Sequence, residues 1–505
     1  MKKTIWNIIC TLAVVCITVL ILNYLTDLME RKSSDEKYHD FFQEEQDIDV
    51  LFMGTSHMMD GVFPMELYND YGIVSYNFGN PSSQLATTYW VMENALDYTT
   101  PKLVVIDCFL LANRTKSSDV YSFVHYALDA FPMTTTKIKA IWDLSDDPIL
   151  DMAEASKEQS RNTGEKRTKI GLLWDYSVYH SRWNELTEGD FNPYYSTEKG
   201  AIAKVGVNPG TPPKMNATDK MTEGETVGVQ YLRKMIEDCQ KRGIQVLLTY
   251  LPFTANGSKQ MEAKRAAAIA QEYNIGYINF LELDIVNYKT DFFDENSHVN
   301  VSGARKITDY IGRYIREHYS VPDRRDEKTY EGWNQDYKEY VDFKIDTLTT
   351  EKELDNYLML LAHDSLNAVI EINNTDIFKS ELYKQLFGNL GVNVSELGAN
   401  TDFIIIRDGG AKTQVLNSAK TQSQTYESSV GSIKIEIGNS GGSYSLSVDG
   451  VVWSSGRTDA TEGLKISVSK SGTEEYTFVE KVSFQYAFSK NSGLIVQKVS
   501  RRREQ

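Results

Sequence analysis

Short, continuously apolar runs alternate with longer amphipathic stretches from residue 49 to residue 318. This alternation limits the possible folds more than any other feature of the chain. The apolar runs fall at 49–53, 73–78, 102–107, 244–250 and 276–280. A strand that is apolar along its whole middle, rather than at every second residue, is buried on both faces, as in a parallel sheet covered by helices. Helical spacing fills 83–96, 229–241, 260–273 and 303–318; Gly243 closes the second of these and Pro252 stops the strand at 244–250. Strands alternating with helices imply βαβ units and a three-layer α/β domain with a parallel sheet. The alternation lapses between 110 and 226. That insertion is long and polar, and it carries aromatics such as Trp142, Trp174, Trp183, Tyr194 and Tyr195. Insertions of this length shape access to a site. The aromatics either stack on sugar rings or pack the insertion's own core.

Residues 5–25 contain no charge, and about 20 apolar residues suffice to cross a bilayer. Lys2 and Lys3 precede the run, Arg31, Lys32 and Lys37 follow it, and no small-residue cleavage site stands after it. The expectation is an uncleaved single-pass anchor at the cell membrane, with a cytoplasmic N-terminus and the bulk of the chain extracytoplasmic. The expected organisation is an anchor at 1–26, a juxtamembrane stem at 27–47 and an α/β domain at 48–320 containing the 110–226 insertion. A charged linker at 321–343 and a smaller, β-rich α+β accessory domain at 344–497 follow. Within the accessory domain a helix is expected at 377–387, and Asp449-Gly450 between two alternating runs is a hairpin signal.

The chain has 505 residues and a formal charge of −17. That charge argues against a nucleic-acid partner, since phosphate neutralisation needs a basic face. The four cysteines, Cys10, Cys16, Cys108 and Cys239, form no CxxC pair and read as small hydrophobes. Histidines and acids are not grouped as metal ligands, so no metal and no cofactor are expected.

Two stretches carry the chemistry. In Asp49-Val50-Leu51-Phe52-Met53-Gly54-Thr55-Ser56-His57 an apolar strand ends in a glycine turn, and a serine follows. Ligands of open α/β sheets bind at the carboxyl ends of strands. A serine there starts a helix, where its own N–H helps to hold an oxyanion; the plainer reading is a helix N-cap. His57 beside it reads as assisting substrate or backbone rather than as the base. The second stretch is Asp294-Glu295-Asn296-Ser297-His298-Val299-Asn300-Val301-Ser302-Gly303-Ala304. A serine nucleophile needs a base, and the base needs an orienting acid. His298 supplies the first, and Asp294 or Glu295 the second.

The order of these blocks resembles the SGNH (GDSL-like) hydrolase superfamily. Gly54-Thr55-Ser56 matches its strand followed by Gly-x-Ser. Tyr76-Asn77-Phe78-Gly79-Asn80-Pro81 stands where the family puts a glycine N–H into the oxyanion hole. The late acid–His block matches around His298. The Gly-Thr-Ser-His form, the anchor and the His-Val-Asn-x-x-Gly-Ala tail look like a membrane-anchored branch. That branch includes the D-alanyl transfer protein of teichoic-acid D-alanylation and the alginate acetylation proteins. The family's usual acid lies three residues before the histidine, at Glu295 here, whereas Phe292-Phe293-Asp294 resembles its aromatic-Asp step and favours Asp294. The family's Gly-x-Asn-Asp block is absent. Ile106-Asp107-Cys108 occupies its place, Asn113 is a substitute, and the oxyanion hole would lean on the Ser56 and Gly79 amides. Residues 344–497 resemble the interleukin-like domain found beside glycan-processing modules, which implies a binding or spacing accessory.

The resemblance implies a catalytic set of Ser56, His298 and Asp294 (alternatively Glu295), with Gly79, Asn80, His57 and Asn113 around the oxyanion and substrate. It implies esterase or O-acyltransferase action on acyl esters of a cell-envelope polysaccharide or teichoic acid, with a membrane-bound O-acyltransferase as acyl-donating partner. The alternative is a non-catalytic glycan-binding or scaffold protein on the same fold.

Overall fold

A computed structural model describes all residues except 1, 31, 148–168, 175, 193–196, 216–219, 296, 373–374, 398–402, 411, 418–422, 429–430, 438–443, 449–450, 457–462, 471–477, 490–492 and 503–505. Tyr194, Tyr195 and the Asp449-Gly450 turn therefore lie outside the described residues. The chain divides into two compact units. The first comprises Met1–Ile202, Pro213–Ile285 and Arg305–Tyr337; the second comprises Ala203–Pro212, Val286–Ala304 and Lys338–Gln505.

The first unit is built on five parallel strands: β1 (Val50–Gly54), β2 (Ser75–Gly79), β3 (Leu103–Asp107), β4 (Gln245–Tyr250) and β5 (Gly276–Asn279). Their order is β2-β1-β3-β4-β5. Every residue of β1, β2 and β3 is buried, as continuous apolar runs require. Right-handed crossovers fix which face each helix covers, and the face changes where the strand order reverses, between β1 and β3. Helices Leu85–Ala95, Val227–Lys241 and Gly257–Tyr273 share one face. Tyr89 donates to Asp238 Oδ2 (3.1 Å), and Tyr273 donates to Glu237 Oε1 (2.7 Å). Helix Pro64–Tyr71 lies on the other face against the later turns of helix Val301–His318, where Tyr71 donates to Asp309 Oδ1 (2.5 Å). The chain is thus α/β with a parallel sheet between two helical layers.

Helix Lys2–Met29 is long and apolar enough to cross a membrane. The stem beyond it is folded. Helix Lys32–Gln43 buries Lys37, Tyr38 and Phe41 against the end of β2. The Tyr38 ring stacks on Phe78 (5.4 Å between centroids), Phe41 meets Phe78 edge-on (4.9 Å), and Tyr76 donates its hydroxyl to Lys37 O (2.7 Å). The buried Lys37 ammonium donates to Asn77 O (2.9 Å) and Gly200 O. Burial lowers its pKa to about 7 against the opposing pull of Asp60.

From residue 331 onward the segment expected as a linker belongs to a helix, Glu331–Thr350. Aromatic rather than aliphatic side chains anchor this region: Tyr330 and Trp333 are buried in the first unit and Tyr340 in the second. Lys199 lies over the Trp333 ring (4.7 Å) and pairs with Glu44 (2.7 Å) and Asp336 (2.6 Å).

The second unit carries two antiparallel sheets. Its strands are β6 (Leu366–Ile372), β7 (Phe403–Asp408), β8 (Lys412–Asn417), β9 (Ser423–Ser428), β10 (Gly431–Ile437), β11 (Tyr444–Val448), β12 (Val451–Gly456), β13 (Leu464–Lys470), β14 (Phe478–Ser489) and β15 (Gly493–Arg502). One sheet runs β15-β14-β13-β6-β7-β8 and the other β12-β11-β10-β9. The helix expected at 377–387 is a 3-10 turn, Thr375–Lys379, followed by helix Glu381–Asn389. The extended Ser380 (φ −83°, ψ 124°) separates the two. His363 is buried; its Nδ1 accepts from the Ser365 amide (3.0 Å), and its carbonyl accepts from Arg407 (2.7 Å).

Candidate active site

The reversal of strand order between β1 and β3 is where an α/β sheet opens a crevice at its carboxyl edge. Ser56 follows β1 there and starts the short helix Ser56–Gly61. Thr55, not Ser56, is the N-cap: its Oγ1 accepts from the His57 amide (3.3 Å), and its carbonyl accepts from the amides of Met58 (3.0 Å) and Met59 (3.1 Å). Ser56 is the first residue of the helix rather than its cap, and it is half-buried.

Two facing glycines make this turn possible. Gly54 pairs with Gly79 in register. A Cβ on Gly79 would stand 2.3 Å from Met59 N and 2.7 Å from Thr55 O, and one on Gly54 would stand 2.9 Å from the Cβ atoms of Asp107 and Met58. Asn77, unremarked in the sequence beyond its place in the glycine block, knots the turn together. Its Nδ2 donates to Met58 O and Val62 O (2.8 Å each), and its Oδ1 accepts the Gly79 amide (2.9 Å). The Gly79 amide, expected at an oxyanion, is engaged within the turn in this structure.

Asn80 is also internal. Its amide donates to Gly54 O (3.1 Å), its Nδ2 donates to Phe78 O (3.0 Å), and its Oδ1 accepts the Tyr38 hydroxyl (2.9 Å). With its side chain fully buried, it braces the turn. Asn113 donates from Nδ2 to Gln84 Oε1 (2.7 Å), in a loop where Leu110 takes a left-handed φ of 69°. Such a backbone is strained for a branched residue and marks this loop as over-determined by its surroundings.

His57 is buried, with its ring 4.2 Å from Phe109 and 5.1 Å from Phe253. Below this aromatic layer, at the end of β3, lies Asp107. Its Oδ1 accepts from the Leu251 amide (3.2 Å), while its Oδ2 has no hydrogen-bond partner among the described residues. Burial pushes its carboxyl up to about 7 against the lowering effects of the Leu251 and Phe109 amides and Lys259. The sequence placed Asp107 where an asparagine block is missing, and the alternation of apolar residues gave no sign that it would be buried.

The second unit holds the acid–histidine pair on a tight hairpin. Phe292 and Val299 form an antiparallel bridge, and the Phe293 amide donates to His298 O (2.9 Å). The loop between them brings His298 Nδ1 to 2.6 Å from Asp294 Oδ2. Asp294 Oδ1 accepts from the amides of Ser297 (2.6 Å) and His298 (2.9 Å). Burial raises the Asp294 carboxyl, but the hydrogen bonds from the His298 ring and the two amides outweigh it and hold it below the ordinary range. Glu295 is exposed and makes no hydrogen bond to the ring among the described contacts. Of the two acids, Asp294 is therefore the partner. A proton on Nδ1 facing the carboxylate leaves Nε2 as the acceptor, the tautomer a general base requires.

Asn300 fixes this hairpin. Its Nδ2 donates to Gly206 O and Thr290 O (2.8 Å each), and its Oδ1 accepts the amides of Ser302 (3.0 Å) and Gly303 (3.2 Å). The end of the insertion straps the hairpin from outside: Asn208 donates its amide to Phe292 O (2.9 Å), and Val301 donates its amide to Lys204 O (3.0 Å). Nothing in the sequence of 203–212 announces this strap, because it acts through backbone groups. Asn300, three residues before Gly303 at a helix start, carried a capping signal.

No protein-family model and no curated protein matches the chain. Two solved structures from the same genus show a partial likeness. One is a provisionally assigned acylhydrolase from Bacteroides fragilis, with 13% identity over 57% of this chain and 98% of that one and a TM-score of 0.28. The other is a GDSL-like lipase from Bacteroides thetaiotaomicron, with 11% identity over 56% and 98% and a TM-score of 0.28. Values this low carry no argument about chemistry, and the α/β class of this chain rests on its own parallel sheet.

Proposed function

We propose that the chain is a membrane-anchored, extracytoplasmic serine acyl-esterase or O-acyltransferase. The observation that carries the reading is the 2.6 Å Asp294–His298 contact through Nδ1, in a chain whose Ser56 follows the strand at the sheet's switch point. Ser56 Oγ attacks an ester or thioester carbonyl. His298 Nε2 takes its proton, and Asp294 holds the ring and stabilises the imidazolium. The acyl-enzyme then passes to water or to a glycan hydroxyl. His298 returns the proton to the leaving group in the first half and activates the acceptor in the second.

The proposed substrate is an acyl ester of a cell-envelope polysaccharide or teichoic acid. An apolar N-terminal helix supports placing the enzyme beside a membrane-bound acyl donor, with the N-terminus cytoplasmic. The interleukin-like resemblance supports a binding or spacing role for the C-terminal strands. The test is Ser56→Ala in the full-length chain. It should abolish both fluorophosphonate labelling and acyl transfer, and retained labelling would overturn the mechanism. The internal engagement of the Gly79 amide and of Asn80 favours a second reading, a non-catalytic glycan-binding protein. Its mark is glycan binding that survives both Ser56→Ala and His298→Ala, with no probe labelling of the unaltered chain.

A further inference from the structure

The insertion of the first unit leaves large apolar side chains in the open. Trp183 is 68% exposed, Ile170 64%, Phe191 57% and Trp174 47%. A soluble surface rarely keeps such a group without a partner. Trp183 and Phe191 lie on His180–Asn184 and Glu188–Phe191, which with Tyr176–Tyr179 pack against helix Lys2–Met29; Ile170 lies on helix Lys169–Leu173, which packs on Tyr176–Tyr179, and Trp174 follows it. Arg182, next to Trp183, closes the end of that helix. Its Nη1 donates to Met29 O (2.5 Å) and Glu30 O (2.8 Å), and its Nη2 is held by Asp190 (2.9 Å).

The depth of this contact follows from helix geometry. Residues 4–26 carry no charge. At ~1.5 Å per residue they span ~34 Å, slightly more than the ~30 Å hydrocarbon core. Met29 lies three residues further on, so its carbonyl stands ~5 Å beyond the core, within the ~5–7 Å headgroup layer on that side. Tryptophan favours this layer, with its ring among apolar chains and its N–H in water. Exposed Glu185 and Glu188 flank Trp183 and disfavour an anionic surface.

We infer that residues 169–174 and 176–191 form a second membrane contact, in which Trp183 and Phe191, together with Trp174 and Ile170, sit in the neutral headgroup layer around the emerging helix. The inference rests on reading Lys2–Met29 as a membrane span. It assigns Trp174, Trp183 and Phe191 to lipid rather than to a sugar ring or to the insertion's own core.

The test uses the full-length chain carrying Trp6→Phe, which removes the tryptophan inside the span, in phosphatidylcholine vesicles. Quenching is compared between lipids with a nitroxide near the headgroup and near the chain end. Shallow quenching should exceed deep quenching, and adding Trp183→Phe should cut the shallow component at least twofold. An unchanged shallow component on that substitution would overturn the inference while leaving the anchor intact. Release of the chain from vesicles by alkaline carbonate would overturn the anchor, and the inference with it. Quenching of Trp183 by a soluble envelope polysaccharide, with no dependence on lipid nitroxide depth, would assign the patch to glycan and overturn the inference.

Discussion

Asp294→Asn is the sharpest perturbation of the proposed chemistry, because it is nearly isosteric and its effect can be worked atom by atom. The carboxylate accepts three hydrogen bonds, two from backbone amides at Oδ1 and one from the His298 ring at Oδ2. An asparagine carbonyl placed at Oδ1 keeps both amides, so the hairpin stays closed. The amide nitrogen then falls where Oδ2 was, 2.6 Å from Nδ1 in the unaltered chain. A donor there forces Nδ1 to carry the lone pair and moves the proton to Nε2, where it blocks the base. The comparable change in a well-studied serine protease triad costs ~10⁴-fold in kcat, or ~5.4 kcal/mol at ~1.36 kcal/mol per decade. Stability should change little, since the lost contact is a half-exposed ion pair worth at most ~1 kcal/mol. The assay is p-nitrophenyl acetate turnover and the rate of fluorophosphonate labelling by the full-length chain in detergent, with Glu295→Gln as the control. Asp294→Asn should lose about four decades of turnover, and Glu295→Gln should stay near the unaltered rate. Turnover of Asp294→Asn within ~10-fold of the unaltered chain, or an equal loss in Glu295→Gln, would refute the assignment.

Other expectations follow from the buried groups around Ser56. Tyr38→Phe keeps the stack on Phe78 but strips Asn80 Oδ1 of its donor; a loss of ~1–3 kcal/mol is expected in urea unfolding. Gly79→Ala drives a methyl into the backbone at Met59 and Thr55, which cannot yield as a side chain would; labelling of Ser56 should be lost even where folded protein is recovered. Asp107 is raised to about 7 in the folded chain, so between pH 4 and 7 the unfolded chain has released a proton that the folded chain keeps. Stability contributed by this group is therefore full at low pH and falls as pH rises toward 7. Asp107→Asn, which keeps an acceptor for the Leu251 amide, should flatten that decline in urea midpoints measured at pH 5 and 7, and an unchanged slope would show that another group sets it.

The strands were legible because burial on both faces leaves a continuous apolar run, as in Leu103–Asp107, and so was the helical spacing of Val227–Lys241. Ser56 and His298 were legible as residue types at an apolar strand's end and ahead of a helix. The choice of acid was legible only through the resemblance of Phe292-Phe293-Asp294 to an aromatic-Asp step, because Asp294 and Glu295 differ by one position. The Phe292–Val299 bridge closes the hairpin in which Asp294 reaches the ring. Asn77 and Asn80 were visible as letters but not as braces, since their partners are backbone carbonyls and a tyrosine some forty residues upstream. The region after residue 318 looked like a linker because its buried anchors, Tyr330 and Trp333, are aromatic in a stretch almost without aliphatics.

The docked stem has a mechanical consequence. A coil of about 20 residues between Met29 and Asp49 would let its cargo roam ~25 Å from the tether point, sweeping a dome of solution above the bilayer. Here Lys37, Tyr38 and Phe41 dock that segment on β2, and Tyr38 is bolted to the same turn that presents Ser56. With Lys2–Met29 as the proposed membrane span, the serine would drift and spin with the lipid but keep one altitude. On the proposed reading its encounters become a search in two dimensions, and the proposed membrane-borne acyl donor would meet it by lateral diffusion, with neither partner lifted to the other's level.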